Sequence, residues 1–192
     1  DKKTRQTVQP GKILGHRAEA IQVACKDGTI WIKQLKLANN YDNDKERAFK
    51  LPAIRALANS KIELNLPPIT SKRKREIHAK VSGEIGYLYF DCYNGALNTE
   101  QCINFLAEYR QLTQDSTIKV IVLMGGEEFW CNGIHLNCIE NSPEPNKESW
   151  RNINAINLIA EAVITTTDKI TVAALRNNAG AGGAILALGC DY

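Results

Sequence analysis

The chain has no uninterrupted apolar stretch near the roughly 18 to 20 residues that a membrane-spanning helix requires. Its first residues, Asp1, Lys2, Lys3, Thr4, Arg5 and Gln6, are polar with no apolar segment behind them, which argues against a secretory signal. Position 1 is not Met, so the sequence reads as an internal piece of a longer polypeptide. The six cysteines, Cys25, Cys92, Cys102, Cys131, Cys138 and Cys190, include no CxxC pair and fall mostly inside apolar segments. Reduced, buried thiols in a cytoplasmic protein are expected, without disulfides. Cys131, His135 and Cys138 have an imaginable metal-ligand spacing, but no fourth ligand accompanies them, and no metal site is assigned.

What is present is ordinary globular composition: 44% hydrophobic and 23% charged residues in a chain of 192. The net charge of +3 conceals an uneven distribution. Residues 1–80 hold 18 Lys and Arg against 8 Asp and Glu, whereas residues 81–192 hold 6 against 13. Such a split suggests two units with different partners.

Residues 12–16, 20–25 and 29–37 are rich in β-branched and apolar residues. Asp27-Gly28 between the last two favours a hairpin turn. Residues 39–47 read as a loop or short helix, Leu51, Pro52 and Ala53 as a turn, and residues 54–57 return to apolar character. A small β-barrel-like unit ending near residue 65 is expected. Residues 66–80, with Pro67-Pro68 and the run Ser71-Lys72-Arg73-Lys74-Arg75, read as a basic linker.

Beyond the linker the pattern changes. Residues 86–90, 117–124 and 169–175 read as buried strands. Residues 99–112 place Cys102, Phe105, Leu106 and Tyr109 on one helical face. Residues 147–166 do the same with Ile153, Ile156, Ile159, Ala160, Val163 and Ile164. Alternating strands and helices predict an α/β domain with a parallel sheet.

Two loops follow two of the buried strands: residues 125–136 and residues 176–183. In α/β sheets, ligands gather at the carboxyl ends of strands, where such loops lie. Their glycines permit close backbone approach, and N–H groups that begin a helix can bind an anion or a developing oxyanion. Gly180 and Gly182 fit G-x-G, but Ile185 breaks the dinucleotide fingerprint.

At these residues the sequence resembles a known family. Residues 129–136 resemble the first oxyanion loop of the crotonase (enoyl-CoA hydratase/isomerase) superfamily. Residues 178–183, with Cys190-Asp191 beyond, resemble its second. Residues 10–65, especially 10–17 and 24–28, resemble the C-terminal, oligonucleotide-fold-like (OB-like) subdomain of folate-dependent formyltransferases. The expected fold is therefore an OB-like β-barrel subdomain over 1–65, the linker 66–80, and the N-terminal part of a crotonase domain over 81–192. Residues 130–137, 148–153 and 178–183, together with this domain order, resemble a family of nickel–iron hydrogenase maturation enzymes.

The resemblance implies transfer of a formyl group from formyl-tetrahydrofolate to coenzyme A, then decarbonylation of formyl-CoA to supply the hydrogenase CO ligand. It implies coenzyme A as cofactor, and tetrahydrofolate bound by a domain outside these residues. The partners implied are a CoA thioester substrate and other hydrogenase maturation proteins. Residue by residue, the N–H groups of Asn132 and Gly182 correspond to the two oxyanion donors, and Gly133, Ile134 and His135 to the loop at the CoA moiety. His135 stands where an acidic residue is common, as a proton donor, a phosphate contact, or a surface or structural histidine. Ile185 occupies the position of the hydratases' catalytic Glu, which puts water addition in doubt. Two other readings stay open: an acyl-CoA hydratase or isomerase, and a basic RNA-binding module. Against the last, residues 1–80 carry little aromatic surface for stacking, only Trp31, Tyr41 and Phe49.

Overall fold

The computed structural model describes residues 8–37, 49–60, 65–70 and 76–192. The chain divides into two compact units, Asp1–Arg73 and Lys74–Tyr192. The loop-or-helix expectation for 39–47 and the basic run at 71–75 lie outside the described residues.

In the first unit, β1 (Ile13–Arg17), β2 (Ala20–Ala24) and β3 (Thr29–Ile32) form an antiparallel sheet in that order. β2 and β3 are the expected hairpin, with Ala24 opposite Thr29 across the Asp27-Gly28 turn. β4 (Gln34–Lys36) pairs with β5 (Lys50–Pro52), and a short helix α1 (Ala53–Ala58) follows. Leu51, Ala53 and Ala56 are buried, so the residues taken for a turn are an edge strand running into a helix. Pro52 suits that junction, because its missing N–H costs no helical hydrogen bond there. No closed barrel forms among the described residues, and the expected OB-like barrel is in that respect not found.

Residues 67–69 are not linker. Pro67 O accepts the His16 N–H at 3.0 Å and His16 O accepts the Ile69 N–H at 2.7 Å, so this stretch lies along β1. Gly15 permits the approach: a Cβ there would sit 2.4 Å from Pro67 O.

The second unit begins earlier than expected, with β6 (Ile77–Ser82), which pairs antiparallel with β7 (Ile85–Phe90). The chain continues through a 3-10 turn (Tyr93–Gly95), β8 (Ala96–Leu97), α2 (Thr99–Gln114), β9 (Val120–Met124), β10 (Phe129–Cys131), β11 (Gly133–Ile134), α3 (Leu136–Glu140), α4 (Pro145–Ile164), β12 (Ile170–Ala173), β13 (Asn178–Ala179) and α5 (Gly182–Leu188). The main sheet has the order β12-β9-β7-β6, with β7, β9 and β12 parallel. After α5 the chain returns to β12: Tyr192 N–H donates to Thr171 O at 3.1 Å and Tyr192 O accepts the Ala173 N–H at 2.7 Å.

α2 starts where Asn98 and Gln101 form a reciprocal capping box, each side chain bonded to the other's backbone N–H at 2.9 Å. The buried face of α2 carries Cys102, Phe105, Leu106, Tyr109 and Leu112 against the sheet, as its periodicity predicts. α4 buries Ile156, Ile159 and Val163, whereas Ile153 and Ile164 face outward. The fourth buried position of α4 is Asn152, an amide in an otherwise apolar stripe. Trp130 anchors the core beneath the two loops. It is fully buried, packs edge-on to Phe90 with ring centroids 5.4 Å apart, and its Nε1–H donates to Leu123 O at 3.2 Å.

Candidate functional site

Strands β10 and β13 join the two glycine loops as a parallel pair, Phe129 opposite Asn178 and Cys131 opposite Ala179. Strands β11 and β8 pair alongside, Gly133 opposite Ala96 and Ile134 opposite Leu97. These strands are two or three residues long and carry no readable periodicity. The glycines set their spacing. A Cβ on Gly183 would lie 2.1 Å from Cys131 O, and one on Gly133 would lie 3.0 Å from Gly182 N. Gly133 also has φ +82, which disfavours any side chain. The loops therefore meet backbone to backbone, with Gly182 N against Gly133.

Gly182 is the first residue of α5, so its N–H has no acceptor within the helix. The preceding residue, Ala181, is held at φ 47 and ψ −125, a conformation that costs a non-glycine residue about 1–3 kcal/mol. That strain sits where the chain turns to aim the start of α5 at Gly133.

Asn132 does not behave as expected of a first oxyanion donor. Its N–H donates to Gly95 O at 2.7 Å and its Nδ2 to Asn94 O, also at 2.7 Å. Both donors hold the turn at 93–95, and an N–H already bonded is not available to a substrate carbonyl. The Asn132 Oδ1 lies against Gly180, where a Cβ would come within 2.9 Å. The residue therefore ties three loop segments together.

His135 is buried, with 3% of its surface exposed. Its Nδ1 accepts the Cys138 N–H at 3.3 Å, which makes it the N-cap of α3. A ring nitrogen acting as acceptor leaves the proton of the neutral ring on Nε2. The expected proton-donor or phosphate role conflicts with this burial and this cap, and of the readings for His135 the structural one fits.

Cys131 and Cys102 are buried beside the loops. Burial pushes the Cys102 thiol up to about 12, with the neighbouring Cys131 adding to the shift, and burial pushes Cys131 up to about 11. Both are protonated at neutral pH and neither is a nucleophile. All six cysteines are free thiols. Among the described residues no three His, Cys, Asp or Glu side chains converge as metal ligands would, and no helix is long and apolar enough to cross a membrane.

Ile185 on α5 is exposed, and α5 carries no Asp or Glu. One contributor was not foreseen. Asn152 on α4 accepts the His135 N–H on its Oδ1 at 3.1 Å and donates from Nδ2 to Leu97 O at 3.0 Å. The only sequence signal for it was a polar residue one turn before Ile156 in the helical stripe.

The second unit is thus an α/β unit whose two glycine loops meet at the start of α5. The enoyl-CoA hydratase/isomerase family model matches residues 91–192, and the chain belongs to that family. The model for the formyl transferase C-terminal domain matches residues 1–49. A relative that spans both parts is a hydrogenase maturation factor. HoxX of Bradyrhizobium diazoefficiens is 38% identical over 182 residues, covering 95% of this chain and 31% of that protein. The crystal structure of HypX from Aquifex aeolicus in complex with tetrahydrofolic acid is 39% identical with a TM-score of 0.82, covering 98% of this chain and 33% of that one. The enoyl-CoA hydratase of Bacillus anthracis, 20% identical with a TM-score of 0.55 over 62% of this chain and 46% of its own, shares the fold. The chain spans about a third of the length of HoxX and HypX.

Proposed function

We propose that residues 74–192 contribute the oxyanion site of a hydrogenase maturation enzyme that acts on formyl-CoA. The observation that carries this reading is the close approach of Gly133 to Gly182, the helix-start residue whose N–H has no acceptor within α5. The second donor is Gly182, and the first is Ile134 in place of Asn132. Successive N–H groups of an extended strand point to opposite sides. The His135 N–H is turned to Asn152, so that of Ile134 is turned the other way. Two such donors on one carbonyl oxygen fix its direction and polarise the C=O bond, which acidifies the formyl C–H whose proton the reaction moves.

The chemistry suits a site without a carboxylate at position 185. Formyl-CoA already holds all the atoms of carbon monoxide and the CoA thiol. The C–S bond breaks, the formyl hydrogen passes as a proton to the thiolate sulfur, and CO leaves. No water, oxidant or reductant is consumed. Hydration of an enoyl thioester would require a positioned base, and Ile185 supplies none. The formyl group would come from formyl-tetrahydrofolate, in a domain outside this chain. The formyl transferase match at residues 1–49 and the tetrahydrofolate complex of HypX support that origin.

The test is CO release from formyl-CoA by the full-length protein. Gly182→Pro deletes the N–H and, in protein shown to be folded, is expected to abolish release. Gly182→Ala keeps the N–H, and its Cβ would meet only ordinary contacts at 3.4 Å and beyond, so it is expected to retain activity. Near-normal CO release by a folded Gly182→Pro would refute the oxyanion assignment.

A further inference from the structure

We infer that Asn152 is the residue that sets the direction of the first oxyanion loop, acting as an amide wedge between two parallel strands. The inference rests on the thioester reading above and deepens it.

Strands β8 and β11 are in register through Leu97 and Ile134. One step further, a continued parallel ladder would pair the Leu97 carbonyl with the His135 N–H. That bond is replaced. The Asn152 amide enters between the two groups, takes the His135 N–H on Oδ1 at 3.1 Å and returns an N–H to Leu97 O at 3.0 Å. A primary amide is the side chain suited to the task, because it offers an acceptor and a donor in one plane. The wedge ends the ladder after two residues and lets the chain turn into α3.

The consequence reaches the site through the backbone. Fixing the His135 N–H on one side fixes the Ile134 N–H on the other, next to Gly133 and hence to Gly182. His135 is also clamped from below by its own cap on Cys138. Asn152 has no exposed surface and sits on α4, whose buried Ile156, Ile159 and Val163 are part of the core. The loop direction is thereby referred to the rigid part of the domain. A polar side chain in this stripe is costly to bury unless fully bonded. Its two main-chain bonds offset that cost, and a leucine of similar size would pack there without directing anything.

Asn152 touches no reacting atom and is a positioning residue. The test uses the full-length protein and three readouts. In Asn152→Leu, kcat for CO release is expected to fall about ten- to a hundredfold, the equivalent of losing a buried hydrogen-bond pair. The Kd for free CoA, which has no carbonyl to orient, is expected to stay within about twofold. Amide exchange at His135 is expected to quicken while that at Ile121 in β9 keeps its protection. Asn152→Asp covers the case in which the leucine variant fails to fold. Its carboxylate accepts the His135 N–H but, when ionised, offers Leu97 O no donor, so its kcat is expected below wild type with CoA affinity kept. Wild-type kcat in either folded variant, or CoA binding lost in step with turnover, would overturn the inference. If the unmutated protein neither binds CoA nor releases CO, the thioester reading is what fails. The His135 exchange then decides by itself: unchanged protection in Asn152→Leu refutes the wedge, and lost protection upholds it.

Discussion

The contact between the two loops can be probed at adjacent glycines with opposite expectations. Gly182 and Gly183 are the first two residues of α5, and alanine at either raises helix propensity by about 1 kcal/mol. At Gly182 the new Cβ meets Gly133 Cα at 3.4 Å and Ile156 Cδ1 at 3.6 Å, ordinary contact distances. Gly182→Ala should therefore be neutral or stabilising by up to about 1 kcal/mol. At Gly183 the Cβ would fall 2.1 Å from Cys131 O, 2.4 Å from Cys131 C and 2.7 Å from Cys131 Cβ. The obstacle is main chain, which cannot rotate away as a side chain would. Moreover, Cys131 O accepts the Gly180 N–H at 2.9 Å, so displacing it pulls on the second loop as well. Overpacking costs about 1–3 kcal/mol, and a weakened main-chain hydrogen bond adds about 1 kcal/mol. Set against the propensity gain, Gly183→Ala should lose roughly 1–3 kcal/mol. Urea titration of the two variants and the parent, followed by circular dichroism, measures the difference. A Gly183→Ala midpoint equal to that of Gly182→Ala would refute the claimed backbone contact between β10 and α5.

Ala181→Gly removes the strain at φ 47 but loosens the unfolded chain. The balance should stabilise by about 0.5–1 kcal/mol, read as a raised urea midpoint, and a lowered midpoint would count against strain at that residue. Asp191 accepts the Thr171 N–H at 2.8 Å and the Thr171 hydroxyl at 2.9 Å, and these bonds hold its carboxyl below the usual carboxylate range. A depressed folded value stabilises above the unfolded pKa and is lost as pH falls through the folded one. Acid unfolding should therefore become less steep in Asp191→Asn below about pH 4, and an unchanged acid limb in a thermal-shift series would contradict it.

How much of this was legible from the residues follows from the range of the interactions. Helices α2 and α4 and strands β7, β9 and β12 are long enough for period and apolarity to declare them, because each buries a continuous face. Both glycine loops could be located for the same reason, as the segments that follow buried strands, and the absence of a carboxylate at position 185 is plain from identity alone. β6 was hidden by the adjoining basic run, although Ile77, Ala79 and Val81 alternate with His78, Lys80 and Ser82. The family resemblance pointed to Gly182 as the proposed second donor and supplied the expected domain order.

Tertiary structure decided the rest. Strands β8, β10, β11 and β13 have two or three residues each, too few to show a period, and exist because partners distant in sequence complete them. Whether an N–H is available depends on what lies opposite it, so no local pattern could show that Gly95 O takes the N–H of Asn132. The same holds for His135, whose ring became a helix cap instead of a surface group, and for Asn152, whose two bonds run to residues 17 and 55 positions away. Periodicity fixes which face of an element is buried. The destination of each donor and acceptor on that face is settled only when the other elements pack against it.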